Sequence, residues 1–180
     1  KMKNKKIIFF HGYGGEPIPQ VTDALKYLGA IDVIQTHINY DYEWALDKGK
    51  SLFERCVNES KDCDLIIGLS MGGYTAHLVA NKLQKDCIII NPGLDRMRSR
   101  VHVKDFDCDT TINNCNLEVY LGDKDIQIPN HYTTEYLDRC GINARVEIIK
   151  GPAARIFGQN AFNGAINIVT KEFEGEKRTV

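Results

Sequence analysis

The chain has 180 residues, 43% of them apolar, and a formal net charge of −1. This length suits one compact domain, and the apolar fraction is sufficient for a buried core. The near-neutral charge argues against a nucleic-acid partner, which would need a basic stripe. No apolar run approaches the roughly 20 residues of a membrane span, so we expect a soluble, cytoplasmic protein without a membrane partner.

Six short apolar runs, rich in Ile and Val, predict β-strands. In chain order they span residues 6–10, 31–38, 64–69, 86–91, 117–122 and 144–149. Apolar and polar residues barely alternate within them, which is typical of strands that are covered on both faces in a parallel sheet.

Helical patterns lie between these strands, at residues 19–29, 43–59, 70–83 and 130–141. The pattern at 43–59 places Leu46, Phe53 and Val57 on one stripe. The first and last patterns end at Gly29 and Gly141, a common way to end a helix. The alternation of strands and helices predicts an open α/β fold, with a mainly parallel sheet flanked by helices on both faces.

The third strand runs into Gly68-Leu69-Ser70-Met71-Gly72, which has the G-x-S-x-G spacing of a nucleophile elbow. In this motif a serine lies on a tight turn between a strand and a helix. The backbone N–H of Met71 then faces the site and can stabilise an oxyanion. The alternative is an ordinary strand–turn–helix connection in which Ser70 has no catalytic role.

A glycine-rich turn follows the first strand, in the order His11-Gly12-Tyr13-Gly14-Gly15. Such a turn lets the backbone approach a substrate closely, and the Tyr13 N–H is the second candidate oxyanion donor. Glycine loops also bind phosphate, but no Lys-Ser/Thr follows, which excludes a P-loop. We interpret His11 as a structural residue of this loop rather than as a base.

The strand at 117–122 ends in Gly122-x-x-Asp125. A carboxylate after a late strand occupies the place of the acid in the chain order Ser, Asp, His. Asp125 is therefore the candidate acid, and Asp123 is the second choice. Two solvated turn aspartates are the alternative interpretation.

These motifs resemble the α/β-hydrolase superfamily, and more narrowly its small YqiA-like esterases. The stretches "FFHGYGG", "LIIGLSMGGYTAHLVA" and "IIINPGL" follow that pattern in order, over about residues 5–150. The resemblance implies a carboxylic-ester hydrolase with Ser70 as nucleophile and Asp125 orienting a histidine. Tyr13 and Met71 would supply the oxyanion hole, and Gly12, Gly14, Gly68 and Gly72 would be the glycines of its two loops.

The histidine that this family carries after its last strand is missing. No histidine follows residue 131, so the triad is incomplete by sequence. His131 is the only candidate base in the expected chain order, and His11 is the other candidate. We therefore expect ester hydrolysis to be weak.

Residues 146–171 resemble a different family, the plug domain of TonB-dependent outer-membrane receptors. The stretch "VEIIKGPAARIFGQNAFNGAINIVTK" carries the match, with mild departures at Phe157 and Asn163. This predicts a hydrolase-like domain over 1–150 and a plug-like tail over 151–180 that is not an independent domain. A fusion at "VEIIKG" explains both resemblances, and a divergent hydrolase tail is the alternative.

Weaker patterns are interpreted as structural. Asp105, Asp107 and Asp109 are spaced like a calcium loop, but the glycine and glutamate that such a loop needs are absent. Residues 92–115 are therefore predicted to be a charged loop. We take His77 to be packed or solvated rather than catalytic. The arginines of this loop, which are expected to be exposed, are Arg96, Arg98 and Arg100.

The six cysteines contain no Cys-x-x-Cys pair, so we expect no zinc site. We expect them to be reduced and mostly buried, with a disulfide framework as the alternative. They are Cys56, Cys63, Cys87, Cys108, Cys115 and Cys140.

The sequence thus predicts an enzyme that hydrolyses small-molecule esters and needs no cofactor or metal. The competing hypotheses are a non-catalytic hydrolase-fold protein and a plug fragment that acts as a binding module. The oligomeric state stays open.

Overall fold

The computed structural model describes residues 2–92, 94, 116–122 and 130–149. The strands are β1 (Lys6–Phe10), β2 (Asp32–Thr36), β3 (Leu65–Leu69), β4 (Asp86–Ile90), β5 (Leu117–Gly122) and β6 (Arg145–Ile149). The helices are α1 (Pro19–Tyr27), α2 (Tyr40–Asp47), α3 (Lys50–Ser60), α4 (Met71–Leu83) and α5 (Asn130–Arg139).

The six strands form one parallel sheet with the order β2-β1-β3-β4-β5-β6. From β1 the chain moves to β2 on one side and then returns to β3 on the other side of β1. The direction of winding therefore reverses between β1 and β3. In open α/β sheets, ligands bind in the crevice at the carboxyl ends of the strands at such a switch point.

Helices cover both faces of the sheet, as the sequence predicts. Alternate side chains of the central strands contribute to two separate cores. Ile8, Ile66 and Ile89 pack in one core with residues from α2, α3, α4 and α5. Ile7 and Ile67 pack in the other core, with α1. Burial on both faces explains why the strands lack an apolar–polar alternation.

The single helix predicted at 43–59 is wrong, because the structure has two helices there. Lys48 and Gly49 both adopt left-handed backbone angles, with φ of 59° and 83°. The ring of Trp44 lies where a side chain at residue 49 would be, so both the backbone angle and the packing at this break favour glycine. The predicted stripe also fails at Leu46, which is 61% exposed.

The other predicted elements are present with small shifts at their ends. Gly29 follows α1 with a φ of 108°, and Gly141 follows α5 with a φ of 63°, so both glycines have the predicted role. In the parts of the chain that the structure describes, no helix is both long and apolar enough to span a bilayer. The four cysteines in these parts are free thiols, three buried and one half-buried: Cys56, Cys63, Cys87 and Cys140.

Several predictions concern residues outside the described ranges. They involve the acids Asp123 and Asp125, the arginines Arg96, Arg98 and Arg100, the aspartates Asp105, Asp107 and Asp109, the cysteines Cys108 and Cys115, and the tail 151–180.

Candidate active site

Ser70 lies at a strained turn between β3 and α4. Its backbone angles are φ 56° and ψ −121°, a conformation that non-glycine residues rarely adopt. Strain of this kind costs about 1–3 kcal/mol and is common at functional sites. The neighbouring strand β4 holds this turn in place, because the Ser70 N–H donates a 2.9 Å hydrogen bond to the carbonyl oxygen of Ile90.

The glycines on either side of Ser70 permit close packing of the helix on the sheet. A Cβ atom on Gly68 would lie 2.0 Å from the carbonyl oxygen of Gly72 and 2.7 Å from the Cβ of Ala76. Any side chain at Gly68 would therefore push α4 away from β3. The G-x-S-x-G spacing has a steric cause in this chain.

The glycine-rich loop after β1 lies directly against Ser70. A Cβ atom on Gly12 would lie 3.2 Å from the Ser70 Cβ and 3.7 Å from its Oγ. The loop turns back at Gly15, whose N–H donates to the Gly12 carbonyl oxygen at 3.1 Å. Gly14 has a φ of 70° in this turn. The two loops predicted from sequence thus meet at the switch point of the sheet.

Both ring nitrogens of His11 are engaged in hydrogen bonds that hold this loop. Nε2 accepts from the backbone N–H of Ile38 at 2.9 Å. Nδ1 lies 2.7 Å from the Gly12 carbonyl oxygen, so it carries the proton and donates it there. Burial lowers the pKa of His11, which favours the neutral ring. These contacts support a structural role, because both ring nitrogens already have hydrogen-bond partners.

Tyr13 and Met71 carry the candidate oxyanion donors. Met71 is the first residue of α4, so its N–H has no carbonyl partner within the helix. The Tyr13 side chain is 54% exposed, and its hydroxyl donates a 2.6 Å hydrogen bond to Asp41 on α2. This bond fixes the glycine loop to α2. Sequence reasoning missed Asp41, since no local pattern links it to the loop.

His131 lies on the surface at the start of α5. Its ring packs against that of Tyr132, with 4.3 Å between the ring centroids. Among the described residues, no hydrogen bond or ion pair connects its ring with Ser70.

His77 is buried in α4, about 10 Å along the helix axis from Ser70. Its ring makes an edge contact with Tyr136 of α5, at 6.2 Å between centroids. Among the described residues its Nε2 has no hydrogen-bond partner. Burial lowers the pKa of His77 to about 4, so the ring is neutral at pH 7. Of the two roles that the sequence leaves open, packed or solvated, the structure shows the packed one.

The chain belongs to the uncharacterised protein family UPF0227. The family model matches residues 6–132, which include the glycine loop, the Ser70 turn and β5. This agrees with the resemblance to YqiA-like proteins. No curated protein matches the chain significantly.

Solved structures similar to this UPF0227 chain are α/β-hydrolases. One is a putative hydrolase of the α/β superfamily from Xanthomonas campestris pv. campestris, with a TM-score of 0.62 and 12% identity over 93% of this chain and 99% of that one. Another is Est1E from Butyrivibrio proteoclasticus, with a TM-score of 0.60 and 16% identity over 98% of this chain and 90% of that one.

A third is an α/β serine hydrolase homologue from Coxiella burnetii, with a TM-score of 0.56 and 14% identity over 98% of this chain and 87% of that one. At these identities the similarity establishes the α/β-hydrolase fold alone. None of these relatives supports the plug-like interpretation of residues 146–171, which stays a prediction.

Proposed function

We propose that this protein is a serine hydrolase that acts on carboxylic esters of small molecules. The observation that carries the proposal is the strained Ser70 turn, packed against the Gly12 loop at the switch point of the sheet. The fold of the structural relatives supports a hydrolase but leaves the substrate open.

In the proposed reaction the Ser70 Oγ attacks the acyl carbon of the ester. The negative charge that develops on the carbonyl oxygen is stabilised by the N–H groups of Met71 and Tyr13. The proton that the Ser70 hydroxyl gives up goes to the leaving alcohol. Water then hydrolyses the acyl-enzyme, releasing the acid and restoring the Ser70 hydroxyl. Asp125 is the proposed acid of the triad. We propose no cofactor or metal for these steps, and a cytoplasmic location.

The missing base limits the proposed activity. Residues 132–180 contain no histidine, both nitrogens of His11 are hydrogen-bonded elsewhere, and the ring of His131 lies on the surface. Enzymes that lose a triad member retain roughly 10³–10⁴-fold catalysis over water through the oxyanion hole and binding. We therefore propose a slow hydrolase.

The second candidate is a non-catalytic protein with the hydrolase fold. The absence of a histidine after residue 131 favours it, as does the plug-like sequence of the tail, which a fusion would explain. In this case Ser70 would keep its strained turn without reacting.

Labelling with a fluorophosphonate probe distinguishes the two candidates. The wild type is compared with Ser70→Ala and with Ser51→Ala, a control that removes an exposed hydroxyl from α3. Labelling that Ser70→Ala abolishes and Ser51→Ala retains supports the hydrolase. Absent labelling, or labelling that persists in Ser70→Ala, contradicts it. Turnover of a short-chain activated ester, followed by its pH dependence, then measures the rate.

A further inference from the structure

Asn91 is a buried polar residue that the proposed reaction does not use. It directly follows β4, is 3% exposed and has a φ of 41°. Asparagine tolerates this left-handed region better than most residues, but the conformation is still uncommon. It persists where the surrounding contacts determine it.

Asn91 holds the carboxyl end of β5 through two hydrogen bonds. Its N–H donates to the carbonyl oxygen of Tyr120 at 2.8 Å, which extends the pairing of β4 with β5. Its Oδ1 accepts from the N–H of Gly122 at 2.7 Å. Gly122 is the last residue of β5 and precedes the candidate acid Asp125 by three positions.

The residue before Asn91 holds the Ser70 turn. The carbonyl oxygen of Ile90 accepts the 2.9 Å hydrogen bond from the Ser70 N–H. Two consecutive residues therefore connect the proposed nucleophile on one side of β4 with the end of β5 on the other side.

Pro92 extends this connection to α4 and α5. A Cβ atom on Gly73 of α4 would lie 2.8 Å from the Pro92 Cβ, so the two are in close contact. The carbonyl oxygen of Pro92 accepts a 3.4 Å hydrogen bond from the hydroxyl of Thr133, a fully buried residue of α5. Asn91 and Pro92 thus bind both elements that flank residues 123–129 in the sequence.

The stability of the fold alone does not explain the buried amide nitrogen of Asn91. Its Nδ2 is buried and has no hydrogen-bond partner among the described residues. A buried donor without a partner destabilises a fold. Such a group calls for an explanation other than packing.

We propose that Asn91 is a positioning residue, which sets the carboxyl end of β5 relative to Ser70. This inference rests on the proposed hydrolase function. Asn91 touches no reacting atom. It acts through the Gly122 N–H on one side and, through the neighbouring Ile90 carbonyl, on the Ser70 turn on the other.

The test compares Asn91→Gly with a matched change at the opposite, amino end of the same pair of strands. Asn91→Gly keeps the left-handed backbone and removes the amide. Asp86→Ala removes a 3.1 Å bond from the Asn116 N–H to the Asp86 Oδ1, which joins the amino ends of β4 and β5. Both variants lose one bond from a side chain to the backbone, but only the first lies beside the site.

The first readout is the second-order rate of Ser70 labelling by a fluorophosphonate, at a temperature where both variants are folded. A misplacement of about 1 Å can cost about 100-fold in rate. We expect Asn91→Gly to label about 10- to 100-fold more slowly than wild type, and Asp86→Ala to label within about twofold of it. Equal labelling of wild type and Asn91→Gly would overturn the inference.

Asn91→Asp gives a readout that a purely structural role would not change. It keeps an oxygen acceptor for Gly122 but adds a carboxylate next to Ile90, whose carbonyl oxygen holds the Ser70 turn. A nearby negative charge disfavours the deprotonated form of a nucleophile. We expect the pH profile of labelling to move to higher pH in Asn91→Asp. An unchanged profile would contradict the proposed influence of residue 91 on the Ser70 site.

Amide NMR separates this inference from the proposed function. We expect Asn91→Gly to speed hydrogen exchange at Gly122 and to shift the amide signals of Ser70 and Asp125. Asp86→Ala should leave these signals in place. If wild-type Ser70 does not react, the hydrolase proposal fails, and these signals alone decide whether Asn91 positions the two segments. Unchanged signals in Asn91→Gly would refute it.

Discussion

Gly72, in the first turn of α4, lies so close to Phe10 at the end of β1 that a Cβ atom on it would come within 2.0 Å of the Phe10 carbonyl oxygen. The amino end of α4 is therefore docked on the end of β1, where the glycine-rich loop begins. This contact brings the N–H groups of Met71 and Tyr13 to the same edge of the sheet.

Gly72→Ala should destabilise the fold and displace α4, because the added methyl group overlaps backbone atoms that cannot rotate away. We expect a loss of about 3 kcal/mol or more in the free energy of unfolding, at or above the upper end of what overpacking costs. Urea denaturation measures it. Gly141→Ala is the control: its methyl group meets no atom within 4 Å, so its cost comes from the φ of 63° alone. It should cost about 1–2 kcal/mol. Equal losses would show that the overlap is relieved easily.

Ser70→Gly should be more stable than Ser70→Ala. Glycine adopts a φ of 56° without strain, whereas alanine retains the strain. After the entropic cost of glycine is subtracted, we expect a difference of about 1 kcal/mol in favour of glycine. Thermal unfolding measures it. Alanine and glycine at Glu54, an exposed residue in the interior of α3, should show the opposite order, because glycine weakens a helix. The same order at both positions would contradict strain at Ser70.

His77 should make the protein less stable in acid. Burial lowers its folded-state pKa from 6.5 to about 4, so the unfolded chain binds the proton more readily. Above about pH 6.5 the ring is neutral in both the folded and the unfolded chain and does not affect the free energy of unfolding. That free energy falls as the pH falls from about 6.5 to about 4. The loss is of order 3 kcal/mol.

Urea denaturation at pH 7 and pH 4.5 tests this, with His77→Phe as the variant and the exposed His131→Phe as the control. His77→Phe should lose less stability between the two pH values than wild type does. An identical pH dependence in wild type and His77→Phe would show that another group causes it.

His131→Ala should leave the slow hydrolysis of an activated short-chain ester within about twofold of wild type, since its exposed ring packs against Tyr132. His11→Ala should lower the rate through displacement of the glycine loop, with a matching loss of stability. Initial rates across pH 5–9 check both, with Ser70→Ala as the background. A large loss in His131→Ala would identify it as the base, and turnover at ordinary esterase rates would end the missing-base hypothesis.

Local sequence patterns determine much of this protein. The strand and helix order, the α/β class and the place of Ser70 between β3 and α4 follow from apolar runs and glycine spacing, because these act over a few residues. The lack of a histidine in residues 132–180 is likewise visible from the sequence alone.

Contacts between distant segments decided the rest. The break at Lys48 and Gly49 depends on how Trp44 packs, so the apolar pattern of 43–59 could not reveal it. The occupation of both His11 nitrogens requires Ile38, and the role of Asn91 requires Gly122 of the neighbouring strand. A sequence shows which side chains can form hydrogen bonds. Only the pairing of strands far apart in the chain decides which partners they meet, because parallel strands bring together segments that are 27–58 residues apart.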